Sequence, residues 1–174
     1  PFAERDLSQI FEGTLDGRGL RAGIVASRFN EFIVESLVKG AKRGFRMCGV
    51  PESSVDLAYV PGSLELALAA RTMADSGNYD ALVCVGCVIR GATSHYDLVC
   101  SETAKGVSQV AAHTGIPVIF AVVTTETIEQ AIERSGSKAG NKGYDGALAA
   151  VEMATLARGL TLGKGPKKGR RPKK

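Results

Sequence analysis

The sequence is poor in the residues that bind metals or carry electrons: it has two histidines and four cysteines among 174 residues. Cys84 and Cys87 form a C-x-x-C pair, but no second pair stands at zinc-site spacing. Both lie in the apolar run Ala81–Ile89, which reads as a strand, where residues three apart point to opposite faces. They read as small core residues in a reducing compartment, and neither a metal nor a redox cofactor is expected. Long hydrophobic runs are also missing, so no segment approaches membrane-spanning length. Pro1–Thr14 shows no signal-peptide pattern, and the expected location is cytoplasmic. No internal repeat is present beyond the alternation described below.

Acidic residues are absent from one end. The chain carries 22 Lys and Arg against 18 Asp and Glu, a net charge of +4. Lys164–Lys174 holds seven of those bases and no acid, which leaves 15 bases against 18 acids and puts the body near −3. The basic character therefore belongs to a tail, which argues against a nucleic-acid-binding face on the body. The tail has nothing apolar to bury and reads as a solvated appendage able to contact anionic partners. With 44% hydrophobic content, residues 1–160 are expected to form one domain, and residues 161–174 the flexible basic tail.

What is present is an alternation of strand-like and helix-like segments. Strands are expected at Ala22–Ser27, Val55–Val60, Ala81–Ile89 and Pro117–Thr124. Helices are expected at Glu31–Met47, capped by Asn30 and stopped by Gly49, and at Leu64–Asp75, capped by Ser63. Three more follow at His95–Ala112, Glu126–Arg134 and Asp145–Arg158. Short connections and β-rich apolar strands imply an α/β fold: a flavodoxin-like, open, doubly wound parallel sheet with helices on both faces. One further strand, Gln9–Thr14, precedes the first βα unit with no helix between, and is expected at a sheet edge or paired with another subunit.

Such folds bind ligands outside the carboxyl ends of their strands. Those ends carry Ser27–Asn30, Pro61–Glu65, Arg90–His95 and Thr124–Thr125, so an exposed phenylalanine, a carboxylate, a hydroxyl-rich turn and a histidine converge on one rim. The turn Gly91-Ala92-Thr93 opens a helix, where unpaired N–H groups and the positive end of the dipole suit a phosphate. Ser94 and Asp97 form an S-x-x-D capping signature, and His95 supplies a group whose protonation changes near neutral pH. His113, at a helix end, reads as a surface residue.

Several motifs occur in order: A-S-R-F-N at 26–30, P-G-S-L-E at 61–65, G-C-V-I-R-G-A-T-S-H-Y-D at 86–97, V-T-T-E-T-I-E-Q-A-I-E-R at 123–134 and G-N-K-G at 140–143. In these the chain resembles the lumazine synthases of riboflavin biosynthesis over roughly Ile10–Leu160. The resemblance implies condensation of 5-amino-6-(D-ribitylamino)uracil with 3,4-dihydroxy-2-butanone 4-phosphate, through an imine, without metal or redox cofactor. It implies that Phe29 stacks on the pyrimidinedione, that Ser63, Leu64 and Glu65 line the ribityl chain, and that Cys87, Val88 and Ile89 offer backbone groups to the heterocycle. Ala92, Thr93 and Arg134 would hold the phosphate, His95 would move protons, Phe120 would close the pocket from a neighbouring subunit, and Lys142 would help orient pyrimidine or phosphate.

Read without the resemblance, Phe29 is a hydrophobic staple, Phe120 a core residue, Glu65 a helix-start charge, Arg134 a helix-end cation and Lys142 a solvated loop residue. The family also implies pentamers, pairs of pentamers or sixty-subunit shells, and association with riboflavin synthase. No proline follows Pro1 in the N-terminal arm and Gly136–Asn141 carries no insertion, features that by resemblance favour the shell. The chain departs from typical members in its basic extension after Leu160 and in Cys87. Two other readings stay open: a non-catalytic flavin- or nucleotide-binding module of the same fold, and a scaffold or shell protein whose tail recruits anionic cargo.

Overall fold

The computed structural model describes residues 10–162. Strands β1 (Ala22–Ser27), β2 (Val55–Val60), β3 (Ala81–Ile89) and β4 (Val118–Thr125) form one parallel sheet in the order β2-β1-β3-β4. Helices α1 (Glu31–Met47), α2 (Leu66–Asp75), α3 (His95–Thr114), α4 (Ile128–Arg134) and α5 (Lys142–Leu162) connect and close it. A small antiparallel pair, β5 (Ser135–Ser137) with β6 (Gly140–Asn141), lies between α4 and α5.

Helices cover both faces. Leu37, Ala41 and Phe45 of α1 pack with Ala147 and Val151 of α5 over one face, while Leu66 and Ala70 of α2 and Val107 of α3 seal the other. Burial on both sides explains why the first seven residues of β3 are buried without alternation. Cys84 joins the α2–α3 side and Cys87 the α1–α5 side, the opposite-face placement expected from their spacing. The chain steps from β2 across β1 to β3, so the strand order reverses beside β1 and a crevice opens at the carboxyl ends there.

α1 and α5 approach closely because small residues face each other. A Cβ on Gly44 would lie 2.8 Å from that of Ala147, and one on Gly143 would lie 2.0 Å from the Leu37 carbonyl oxygen. Asn141 locks the entry to α5: its Nδ2 donates to Ser36 O (2.9 Å) and Ser135 O (2.8 Å), and its Oδ1 accepts from Tyr144 N (3.0 Å). These bonds start α5 at Lys142, ahead of the expected Asp145. α5 also runs to Leu162, two residues past the expected domain boundary, and residues 163–174 of the tail lie outside the described residues.

Three local expectations need correcting. Ile10–Thr14 does not lie at an edge of its own chain's sheets, which leaves pairing with another subunit as the expectation; Thr14 N donates to Thr155 Oγ1 (2.8 Å) and Thr14 O accepts from it (2.9 Å), tying this end of the arm to α5. Gln9 lies outside the described residues. α2 begins at Leu66, not Leu64, and Ser63 is no side-chain cap; Glu65 Oε2 instead accepts from Gly62 N (2.8 Å), pulling Gly62–Glu65 into a tight turn ahead of the helix. α4 begins at Ile128, where Thr127 caps it by accepting from Gln130 N (3.3 Å), so Glu126 stays in the connection.

Candidate active site

A cavity of about 370 Å³ lies at the carboxyl ends of β1, β2 and β3. Its first wall follows β1. Phe29 is 70% exposed at the mouth, an apolar ring that packs into no core. Asn30 stands at the start of α1 with φ 61°, in the left-handed region, and its side chain makes no helix cap. Its Nδ2 donates instead to Cys87 O (2.9 Å), tying the β1 turn to the strand that floors the cavity.

The second wall is the turn after β2, where Ser63 is buried and Leu64 exposed. Glu65 lines the cavity while one of its oxygens holds Gly62, so its carboxylate both fixes the turn and faces the opening. The floor is Cys87, Val88 and Ile89, and Cys87 O already accepts from Asn30. The third wall is the turn into α3, from which Gly91, Thr93 and His95 line the cavity; Ala92 is exposed beside them without lining it. α3 starts at His95 as expected, but not by the S-x-x-D cap: Ser94 makes no side-chain cap, and Asp97 turns its carboxylate to Arg90.

Burial raises the two β3 thiols, Cys84 up to about 12 and Cys87 up to about 11. A thiol pKa raised by folding stabilises the protein below the unfolded value near 8.5, and that contribution is lost as pH climbs through the folded values. The urea midpoint is therefore expected to fall between about pH 9 and 11, and to fall less in Cys84→Ala, with midpoints measured across that range. An equal pH dependence in both proteins would show that Cys84 is not the group responsible.

A family model for 6,7-dimethyl-8-ribityllumazine synthase matches residues 19–158. The chain belongs to that family. The match starts ahead of β1 and ends within α5, so it encloses the whole cavity. The lumazine synthase family places the chain among transferase-type enzymes of riboflavin biosynthesis. Among the described residues no helix is long and apolar enough to cross a membrane.

Besides Ala92, three residues named by the lumazine synthase resemblance do not line this cavity within one chain. Phe120 pairs with Cys84 in register on the edge strand β4 and is 38% exposed. Arg134 ends α4, where its Nη1 donates to Gln130 O (3.1 Å). Lys142 is exposed at the start of α5, with Nζ 3.4 Å from Asp145 Oδ2. Conversely, Tyr96 and Val99 line the cavity although neither was expected there, and Asn30 and Gly62, expected only as parts of the rim, line it too. Val99 was legible, since it lies four residues after His95 on the same helix face. The bond that Asn30 makes to Cys87 was not, because a residue expected as a cap turned inward.

Proposed function

We propose that the chain condenses 5-amino-6-(D-ribitylamino)uracil with 3,4-dihydroxy-2-butanone 4-phosphate to 6,7-dimethyl-8-ribityllumazine, phosphate and water. The observation that carries this reading is one cavity that gathers an exposed aromatic ring, a carboxylate beside a hydroxyl, and a helix-start turn with a histidine. Phe29 stacks on the pyrimidinedione. Ser63 and Glu65 accept hydrogen bonds from the ribityl hydroxyls, Leu64 covers the chain, and Cys87, Val88 and Ile89 meet the heterocycle through backbone groups. Ala92 and Thr93 offer donors to the phosphate at the positive end of α3. His95 takes a proton as the amine adds to the ketone and returns one as phosphate leaves. Water is lost on forming the imine and again on ring closure, and neither step changes an oxidation state. Holding both substrates in register supplies most of the acceleration.

Phe120, Arg134 and Lys142 stand outside the chain's own cavity, which supports a homo-oligomer in which each completes a neighbour's site. Pentamers, and shells of sixty subunits built from them, fit this reading, as do a cytoplasmic location, association with riboflavin synthase and a tail that meets anionic partners. Mixing the protein with both substrates, without added metal, flavin or nicotinamide, should give the fluorescence of the lumazine product. Folded protein that yields none across about pH 6 to 8 would favour a non-catalytic flavin-binding module or a shell protein of the same fold.

Arg134→Ala should chiefly impair use of the phosphorylated ketone. Losing a hydrogen bond to a charged group costs about 1.5 to 3 kcal/mol, roughly tenfold to 150-fold in effective affinity. Steady-state KM values for the two substrates check this, with the pyrimidine value little changed. Equal losses for both would show that Arg134 serves the fold instead.

A further inference from the structure

An arginine stands directly before the phosphate turn, and it faces away from the cavity. Arg90 follows the last residue of β3, and its backbone N–H donates to Thr125 O (2.9 Å) at the end of β4. Its Nη1 and Nη2 make a bidentate pair with Asp97 (3.1 and 2.8 Å) on the first turn of α3. Its Nε donates to Glu126 (2.7 Å) in the β4–α4 connection. The guanidinium also lies 4.1 Å over the ring of Tyr96, which lines the cavity beside His95.

We propose that Arg90 is a positioning residue for this reaction, clamping the start of α3 and the β4–α4 connection onto the end of β3. It acts through other groups. Tyr96 and Asp97 directly follow His95 on the first turn of α3, so the clamp sets where the imidazole and the turn Gly91–Ser94 stand relative to the floor of the cavity. An isolated surface ion pair does little, but a planar fork that meets two carboxylates and a ring fixes distance and orientation together. Arg90 also has an electrostatic duty. With its charge committed to Asp97 and Glu126 it is no ligand for the substrate phosphate, yet without it two carboxylates would stand unneutralised beside the turn that receives that phosphate.

This inference rests on the reaction proposed above, and the test separates the two. Arg90→Ala, Arg90→Lys and Asp97→Asn are compared with the parent by KM for each substrate and by the affinity for inorganic phosphate. Displacing the turn by a fraction of an ångström should raise KM for the phosphorylated ketone about tenfold to a hundredfold, and weaken inorganic phosphate in parallel. KM for the pyrimidine should stay within about twofold. Arg90→Lys keeps the charge but not the fork, so it should remain impaired, and Arg90→Ala with Asp97→Asn should be no worse than Arg90→Ala alone. A lysine variant with parental constants, or equal losses on both substrates, would overturn the positioning role. If Arg90→Ala does not fold, Asp97→Asn carries the same readout, since it removes one anchor at constant shape. Parent protein that makes no lumazine defeats the proposed reaction, whereas active parent with unchanged KM in these variants defeats this inference.

Discussion

Two crippled variants should restore activity to each other. In the ring assembly proposed here, Phe29 and His95 of one subunit face Phe120 and Arg134 of the next, because the latter pair stand outside their own cavity. Phe29→Ala with His95→Ala damages one half of every site, and Phe120→Ala with Arg134→Ala the other. Each double variant alone should turn over at a small fraction of the parental rate. Unfolded together in equal amounts and reassembled, they should form head-to-tail interfaces of which about one in four pairs two intact halves. Activity should then rise toward a quarter of parental, with mixing verified by native mass spectrometry. Mixed assemblies that show only the mean of the two parental rates would place the complete site within one chain.

The second large effect concerns stability. Gly143→Ala should cost about 3 kcal/mol or more, because its methyl group would meet the Leu37 carbonyl at 2.0 Å and α1 would have to move off α5. Backbone cannot rotate aside as a side chain can. Gly159, later in the same helix, has open space around it, so Gly159→Ala should gain up to about 1 kcal/mol from the lower entropy of the unfolded chain. Equilibrium urea unfolding of the two variants beside the parent gives the contrast directly. Similar stabilities would mean that the spacing of α1 and α5 adjusts to an added methyl. In the G-N-K-G motif, Gly140 turns the chain at φ 78°, Asn141 holds it, and Gly143 lets two helices touch.

The parts of the fold that sequence made legible are those governed by one strong rule. β1, β3 and α1 have the expected boundaries because continuous apolar runs mark strands buried on both faces and Val34, Val38, Ala41 and Phe45 recur at helical spacing; β2, a partly exposed edge strand, also has them. The β5–β6 pair escaped detection because Ser, Gly and Asn read as loop, and one of the two Asn141 bonds that shape it reaches the distant Ser36 carbonyl on α1. At α3 the start stands where expected but the expected cap failed, because a stronger partner took its carboxylate. Asp97 could serve Ser94 or the arginine fork of Arg90, and the charge-assisted bidentate pair prevailed. Phe120 shows the limit of pattern reading: its apolar neighbours suggest core, but β4 is an edge strand and the ring is part exposed.

The site was legible as a rim, since strand ends can be read from strand boundaries. Which residues reach the same cavity was not, because that depends on the lateral order of strands. Nothing in the spacing of Phe29, Glu65 and His95 says that β1 lies between β2 and β3.

Asn30 narrows what its position can hold. A backbone at φ 61° admits glycine, asparagine and aspartate more readily than other residues. Glycine would relax the backbone and leave Cys87 O without its partner. Aspartate would bring an acceptor to face an acceptor. Among these three, asparagine alone joins tolerance of the turn to an amide donor, so this position has little room to drift even though it touches no catalytic group.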